Sequence, residues 1–134
     1  MSRKVIYLTE KQVIAINTMQ IHLYSPKEFV GVREPSLLNS AINRPKQSAF
    51  GDEAYSSIPE KAAALVESLS KNHTFHNANK RTALASMIVF LKLNGYKWLM
   101  NIEDEQDFVV DIVNHKYTFD NMVSKIKTNI SSEL

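Results

Sequence analysis

The segment between Ala83 and Gly95 constrains the fold of this chain more than any other, because apolar side chains cover nearly every side of the helix that it predicts. These side chains are Leu84, Met87, Ile88, Val89, Phe90, Leu91 and Leu93. A helix that is apolar all round lies in the interior of a protein. The sequence therefore predicts a central helix that the rest of the chain surrounds.

Helices are also predicted on both sides of this segment. Three glycines and four prolines in 134 residues leave few interruptions, and strand-like alternation of β-branched residues is largely absent. Start and stop signals indicate helices from Thr9 to Ser25, from Pro35 to Pro45, from Pro59 onward, from Asp104 to His115 and from Thr118 to Ile130. The short segment 96–100 is interpreted as an extended piece.

A turn signal separates the second of these helices from the third. Gly51-Asp52 lies between Phe50 and Tyr55 among small polar residues, which predicts a β-hairpin or an ordered flap. The predicted fold class is all-α: a compact helical bundle with a buried central helix and a short β-hairpin flap. A length of 134 residues fits a single domain covering residues 1–134.

The composition excludes some classes of protein and disfavours others. There is no cysteine, so disulfide bridges, thiolate zinc sites and a cysteine nucleophile are excluded. The formal net charge is +2 with acids and bases interspersed, which gives no continuous basic face for direct nucleic acid binding. Neither a signal peptide nor a run of about 20 apolar residues is present, so we expect a cytoplasmic protein that does not span a membrane.

Two cations open the central helix, at the end where its dipole is already positive. Lys80 and Arg81 cost roughly 0.3–1 kcal/mol there if nothing else binds. A bound phosphate reverses the sign, because unpaired N–H groups attract an anion and both side chains can bind it. The pattern predicts a phosphate site at this helix start. The alternative is a solvated basic pair on an exposed turn.

The loop before that helix carries further residues of functional type. A histidine can take a proton from a hydroxyl nucleophile near neutral pH, which makes His73 a candidate general base. Asn77 and Asn79 are frequent N-cap types whose side chains can hold the loop, and the side-chain oxygen of Asn77 is a candidate magnesium ligand. Phe75 can anchor the loop in the core. The alternatives are a structural His73 and a zinc site at the His73 and His76 spacing, for which a clear third ligand is lacking.

The run HTFHNANKRTAL, residues 73–84, resembles the signature of the Fic/Doc superfamily, H-x-F-x-[D/E]-G-N-[G/K]-R. It is most similar to the Doc (death on curing) branch, which has A-N-K-R, and the similarity extends over roughly residues 5 to 100. The resemblance implies an all-α bundle whose motif loop leads into a buried helix. It also implies a transferase that uses ATP and Mg²⁺ to modify a Thr or Ser hydroxyl of another protein.

The resemblance also implies which group of ATP is transferred to the target. Two positions of the motif carry this implication. Lys80 replaces the second motif glycine. In the Doc branch this replacement accompanies reversed binding of the nucleotide and phosphorylation of the target. Leu84 stands where members that transfer AMP carry a second arginine. The resemblance therefore implies a toxin that phosphorylates its target, which in the Doc branch is elongation factor Tu, and arrests translation. AMP transfer (AMPylation) is the alternative.

The resemblance also implies a role for each motif residue. His73 would deprotonate the target hydroxyl as the catalytic base. Asn79, Lys80 and Arg81, with the helix start, would hold the nucleotide phosphates. Phe75 would fix the loop to the core.

Two binding surfaces beyond the motif are implied as well. A flap formed by Phe50, Gly51, Asp52 and Tyr55 would align the backbone of the target by edge pairing. A small antitoxin would bind through a disordered C-terminal segment that folds as a helix into a groove on the toxin. We therefore expect a target protein and a cognate antitoxin as partners.

Asn77 departs from the family's pattern. The family has an acidic magnesium ligand at this position, whereas the amide oxygen of Asn77 brings no charge. Most ligands of Mg²⁺ would then come from the nucleotide. A catalytically weakened binding module is consequently a third interpretation, beside the phosphotransferase and the AMP-transferase.

Overall fold

Two helices packed along each other form the centre of the fold. The computed structural model describes residues 4–134, and in this range α3 (Ile58–Lys71) is joined to α4 (Asn79–Leu93) by the loop 72–78. Ser57 caps the start of α3, and Pro59 occupies its first turn. The helix then buries an unbroken apolar run from Ala62 to Val66. The loop therefore lies at one end of the most buried part of the protein.

The prediction of a buried central helix is confirmed for α4, with one exception. Ala83, Met87 and Phe90 are buried against the core. Val89 and Leu93, however, are 37% and 39% exposed. The expectation that the helix is buried all round is therefore wrong for one face, on which these two side chains are partly exposed.

Four further helices surround this pair in the described part of the chain. They are α1 (Glu10–Tyr24), α2 (Pro35–Asn43), α5 (Ile102–Val113) and α6 (Phe119–Lys127). The capping box of Thr9 and Gln12 opens α1, while Asn101 and Thr118 cap α5 and α6. Because Asn101 supplies the cap, α5 begins two residues before the predicted Asp104. The all-α fold class is confirmed, and none of the helices within residues 4–134 is long and apolar enough to cross a membrane.

Two pairs of short strands complete the fold. In the predicted hairpin, β1 (Ser48–Ala49) pairs antiparallel with β2 (Asp52–Glu53) around a turn in which Phe50 and Gly51 have φ of 54° and 85°. The predicted extended segment is β3 (Tyr96–Trp98), which pairs with β4 (Ile130–Ser132). The sequence analysis missed β4 and extended the last helix to Ile130. The helix ends at Lys127 instead, because the backbone beyond it bonds to β3 and to Leu99.

The hairpin is fixed to α3 by a buried cation. Lys61 is 1% exposed, and its Nζ donates to Glu53 Oε1 at 3.1 Å and to a backbone carbonyl at the same distance. Beside it, Arg44 Nε donates to the Tyr55 hydroxyl at 3.0 Å. The two contacts place the base of the hairpin against the first half of α3.

Candidate functional site: a pocket at the start of helix α4

The loop 72–78 is held in an extended form by its neighbours. Phe75 is buried at 2% exposure and forms an isolated antiparallel bridge with Val32. The N–H of His76 donates to the Gly31 carbonyl at 3.1 Å, and the N–H of Arg33 donates to the Thr74 carbonyl at 2.8 Å. The chain between α1 and α2 thus lies beside the loop and fixes its backbone.

Asn79 closes the loop onto itself. Its Oδ1 accepts from the Phe75 N–H at 2.9 Å, and its Nδ2 donates to the Phe75 carbonyl at 2.9 Å. The predicted ability of this side chain to hold the loop agrees with these contacts. The N-cap role does not, because Asn79 is the first residue of α4 and the cap position belongs to Ala78. With both polar atoms of its side chain in use, Asn79 has its backbone N–H left for a ligand.

The start of α4 is open to an anion. Its cap residue Ala78 has left-handed φ and ψ of 62° and 31°, and no side chain caps the helix. By contrast, side chains cap α1, α3, α5 and α6. Among residues 4–134, no hydrogen bond uses the N–H groups of Asn79, Lys80 or Arg81. Three parallel donors therefore point out of the helix at its positive end.

A pocket of about 330 Å³ lies at this helix start. Its lining brings together the predicted motif residues His73, Asn77, Asn79, Lys80 and Arg81. Ser70, His76 and Val113 complete the walls with Ala78. Lys80 is exposed and forms no ion pair among the described residues. The pocket therefore combines free N–H groups, an unpaired ammonium and an imidazole.

Arg81 is only partly directed to this pocket. Its Nη2 donates to Ser25 Oγ at 2.9 Å and lies 3.5 Å from Glu28 Oε2. Its Nη1 donates to the Gln20 carbonyl at 3.4 Å. The guanidinium is thus tied to the end of α1, and a phosphate in the pocket would compete with Glu28 for it.

The imidazole of His73 is free. The residue is exposed, and no hydrogen bond among residues 4–134 involves its ring. Its carbonyl accepts from Arg33 Nη1 at 3.0 Å, so the backbone is fixed while the ring is available to a substrate. The neighbouring His76 packs edge-on against Phe29 with ring centroids 4.8 Å apart. A free ring nitrogen is what a general base requires.

Asn77 presents one oxygen to a ligand. Its Nδ2 donates to the Phe29 carbonyl at 3.0 Å, and its own carbonyl accepts from Asn17 Nδ2 at 2.9 Å. Only Oδ1 of the side chain is left. No group of three or more His, Cys, Asp or Glu residues in the described chain is placed to bind a metal. A magnesium ion would therefore take most of its ligands from nucleotide phosphates, with one neutral oxygen from the protein.

The flap residues do not line this pocket. Phe50 is fully exposed at the turn, and Tyr55 packs against Phe119 with centroids 5.4 Å apart. The hairpin meets α3 at Lys61, ten residues before Lys71, a distance of about 15 Å along the helix. None of Phe50, Gly51, Asp52 or Tyr55 is among the lining residues. Alignment of a target by the flap stays a prediction.

Several residues at the site were not predicted from the sequence, and three of them carry charged or amide side chains that reach the motif from far along the chain. Asn17, Glu28 and Arg33 contact the motif from 60, 53 and 40 residues away. A role for Asn17 could have been predicted, because this residue stands midway between Val13 and Ile21 in the i, i+4 stripe that α1 buries. A polar residue in such a stripe is expected to have a hydrogen-bond partner in the core.

Comparison with known proteins defines the class to which this fold and pocket belong. Residues 7–91 match the model of the Fic/DOC family, and the chain belongs to this family. Similar proteins include Toxin Doc of Mycolicibacterium smegmatis, with 38% identity over 89 residues, 66% of this chain and 67% of the relative. Protein kinase doc of Escherichia phage P1 has 29% identity over 89 residues, 66% of this chain and 68% of the relative. The resemblance to the Doc branch is confirmed.

Proposed function

We propose that this protein is the toxin of a toxin–antitoxin pair and transfers the γ-phosphoryl group of ATP to a Thr or Ser hydroxyl of a target protein. One observation carries the proposal: the uncapped start of α4, the free ammonium of Lys80 and the free imidazole of His73 share one pocket. The names Toxin Doc and Protein kinase doc, borne by two relatives, support both parts.

The helix start supplies the phosphate site. Backbone N–H groups at the end of a helix, reinforced by the dipole, bind phosphate without further side chains. Lys80 adds a compact positive charge, and Arg81 adds a forked pair of donors when Glu28 releases it. In phosphoryl transfer, positioning and charge neutralisation provide most of the catalysis. These residues therefore supply both the positioning of the phosphates and the neutralisation of their charge.

His73 supplies the base. When bound, ATP provides the phosphoryl group that the reaction transfers. His73 accepts, on a free ring nitrogen, the proton that the target hydroxyl loses as its oxygen bonds to phosphorus and ADP departs. Arg33 Nη1 donates to the backbone carbonyl of His73 at 3.0 Å. This bond fixes the backbone of the histidine and leaves its imidazole free to accept the proton.

Phosphoryl transfer is favoured over AMP transfer by the first two turns of α4. Lys80 occupies the place of a glycine, and Leu84 offers no charge where a second arginine would hold the other end of a triphosphate. Leu84 instead lines an apolar groove beside the pocket. The second candidate, a binding module with weakened catalysis, is favoured by Asn77, which brings no negative charge to a metal ion.

The groove beside the pocket is the place that we propose for the antitoxin. It runs between α1 and α4, where Met19 and Val89 are exposed, and continues to Ile102 at the start of α5. The groove consists of two adjoining pockets with volumes of about 250 Å³ and 510 Å³, and both are lined by Gln20 and Ala85. An amphipathic helix lays its apolar face into a groove of this kind. The groove ends at Arg81, so its occupant would also reach the phosphate pocket.

The test is a transfer assay with elongation factor Tu, the target that we propose, and ATP labelled at either the α or the γ phosphate. Label transferred from the γ position supports the phosphotransferase, and label from the α position supports AMP transfer. No label from either, with ATP still bound, supports the weakened module. Mass spectrometry of the target distinguishes the products independently, because a phosphate and an AMP group differ greatly in mass.

A further inference from the structure

A buried amide on α1 lies behind the pocket. Val13, Asn17 and Ile21 form the inward stripe of this helix and are 0%, 1% and 1% exposed. Two of them are apolar, as such a stripe requires. A carboxamide in this position is unfavourable unless its polar atoms are bonded.

Asn17 makes two hydrogen bonds, and both go to the motif. Its Nδ2 donates to the Asn77 carbonyl at 2.9 Å and to Thr82 Oγ1 at 3.0 Å. Asn77 is the last loop residue before the cap, and Thr82 lies in the first turn of α4. One side chain therefore holds the chain on both sides of the segment 78–81, in which the N–H groups of residues 79–81 form the proposed phosphate cradle.

The segment between these two bonds has an unfavourable backbone conformation. Ala78 is left-handed at φ 62°, a region that residues with a Cβ rarely occupy. Such a conformation persists only when its surroundings determine it. Asn79 fixes the loop side through Phe75, and Asn17 fixes the helix side through Thr82. Hydrogen bonds of the protein therefore hold this turn on both sides.

We propose that Asn17 is a positioning residue for nucleotide binding, which acts through the backbone of Asn77 and the side chain of Thr82. The proposal rests on the proposed function, since it assumes that the cradle binds phosphate. Asn17 itself touches no ligand in this scheme. Its contribution is to keep the left-handed turn formed before the nucleotide arrives.

The test compares Asn17→Leu with Val13→Ala. Leucine fits the apolar stripe but donates nothing, while Val13→Ala weakens the same stripe one turn away and leaves every side-chain hydrogen bond of the motif in place. We expect Asn17→Leu to weaken ATP binding, measured by titration calorimetry with Mg²⁺ present, by about ten-fold, because the nucleotide would then have to order the turn at Ala78 itself. Val13→Ala should leave that affinity unchanged, although it lowers the melting temperature.

A spectroscopic measurement separates positioning from general stability. The Cα and Cβ chemical shifts of Ala78 report its left-handed conformation in the ligand-free protein. They should move towards averaged values in Asn17→Leu and stay unchanged in Val13→Ala. If Asn17→Leu does not fold, Thr82→Val removes one of the two bonds and should give the same changes in shift and affinity, at a smaller size.

The outcomes separate this inference from the proposed function. If the wild-type protein does not bind ATP, both fail. If the wild-type protein binds ATP and Asn17→Leu behaves like Val13→Ala in affinity and in the Ala78 shifts, the positioning role is overturned and the phosphotransferase proposal stands. Unchanged binding and unchanged Ala78 shifts in Thr82→Val would likewise overturn it.

Discussion

The guanidinium of Arg81 lies 3.5 Å from the carboxylate of Glu28, so a cation of the motif is engaged by the protein's own acid. The pair is weak, because both side chains are more than a third exposed and a partly solvated ion pair contributes about 0–1 kcal/mol. A triphosphate carries more charge and can displace it. We therefore expect Glu28 to lower the affinity for the proposed nucleotide without blocking the pocket.

Glu28→Gln should accordingly strengthen nucleotide binding. Removing the competing charge frees Arg81 while keeping a side chain of the same shape near Ser25. We expect the KM for ATP to fall by about two- to five-fold, the range that corresponds to 0.4–1 kcal/mol, with kcat nearly unchanged. Glu133→Gln, which removes an exposed carboxylate outside this pocket, is the control. An unchanged KM in Glu28→Gln would mean that Arg81 does not meet the phosphates.

His73→Ala should abolish phosphoryl transfer. The substitution removes the only imidazole that we assign as base, and the loop remains held by Phe75 and by the backbone bonds around it. Transfer is measured with γ-labelled ATP, and circular dichroism verifies that the fold is retained. His22→Ala, on the exposed side of α1, serves as the matched control. Transfer that survives in His73→Ala would remove the base from the scheme.

Asn77→Asp should raise turnover at low magnesium concentration. A carboxylate is a better ligand for Mg²⁺ than an amide oxygen, and we expect the magnesium concentration for half-maximal activity to fall by about ten-fold. The variant also loses the 3.0 Å bond to the Phe29 carbonyl, so its melting temperature should fall slightly. The measurement is activity against Mg²⁺ concentration, with Asn121→Asp on α6 as control. An unaltered magnesium dependence would argue against a ligand at position 77.

Ala78→Gly should stabilise the protein. Glycine adopts the left-handed conformation without the penalty of a Cβ, which outweighs its greater freedom in the unfolded chain. We expect a gain of about 0.5–1 kcal/mol in the free energy of unfolding, measured by denaturant titration. Ala85→Gly, inside α4, should instead lose about 0.5–1 kcal/mol. Destabilisation in both variants would show that Ala78 is not left-handed in solution.

Glu67 should make the free energy of unfolding depend on pH in the acid range. Burial alone would raise the pKa of its carboxyl, but hydrogen bonds from Arg44 at 2.8 Å and Lys71 at 3.2 Å outweigh burial and hold the pKa below its ordinary value. A lowered pKa contributes stability that is fully present above the unfolded value and is lost as pH falls through the folded value. The denaturant concentration at the midpoint of unfolding should therefore drop as the pH falls below the ordinary pKa of a glutamate carboxyl and on through the lowered pKa of Glu67. Glu67→Gln should flatten this part of the profile, and an unaltered slope would contradict the assignment.

The local part of the site was predictable from sequence, and the distant part was not. His73 and residues 76–81 share a pocket because a short loop and the first turn of one helix place them together. Hydrophobic periodicity indicates which face of a helix is buried, but it does not indicate what that face meets. Asn17, Glu28 and Arg33 reach the motif across 40 to 60 residues, so their roles depend on how helices pack. Likewise β4 forms only because β3 offers its backbone.

The left-handed turn at Ala78 is held by hydrogen bonds of the protein itself, through Asn79 and Asn17. The loss of chain entropy that orders this turn thus belongs to folding and not to the binding of the proposed nucleotide. Capture should behave as a single bimolecular step, whose observed rate rises linearly with ATP concentration and shows no plateau from a slow rearrangement.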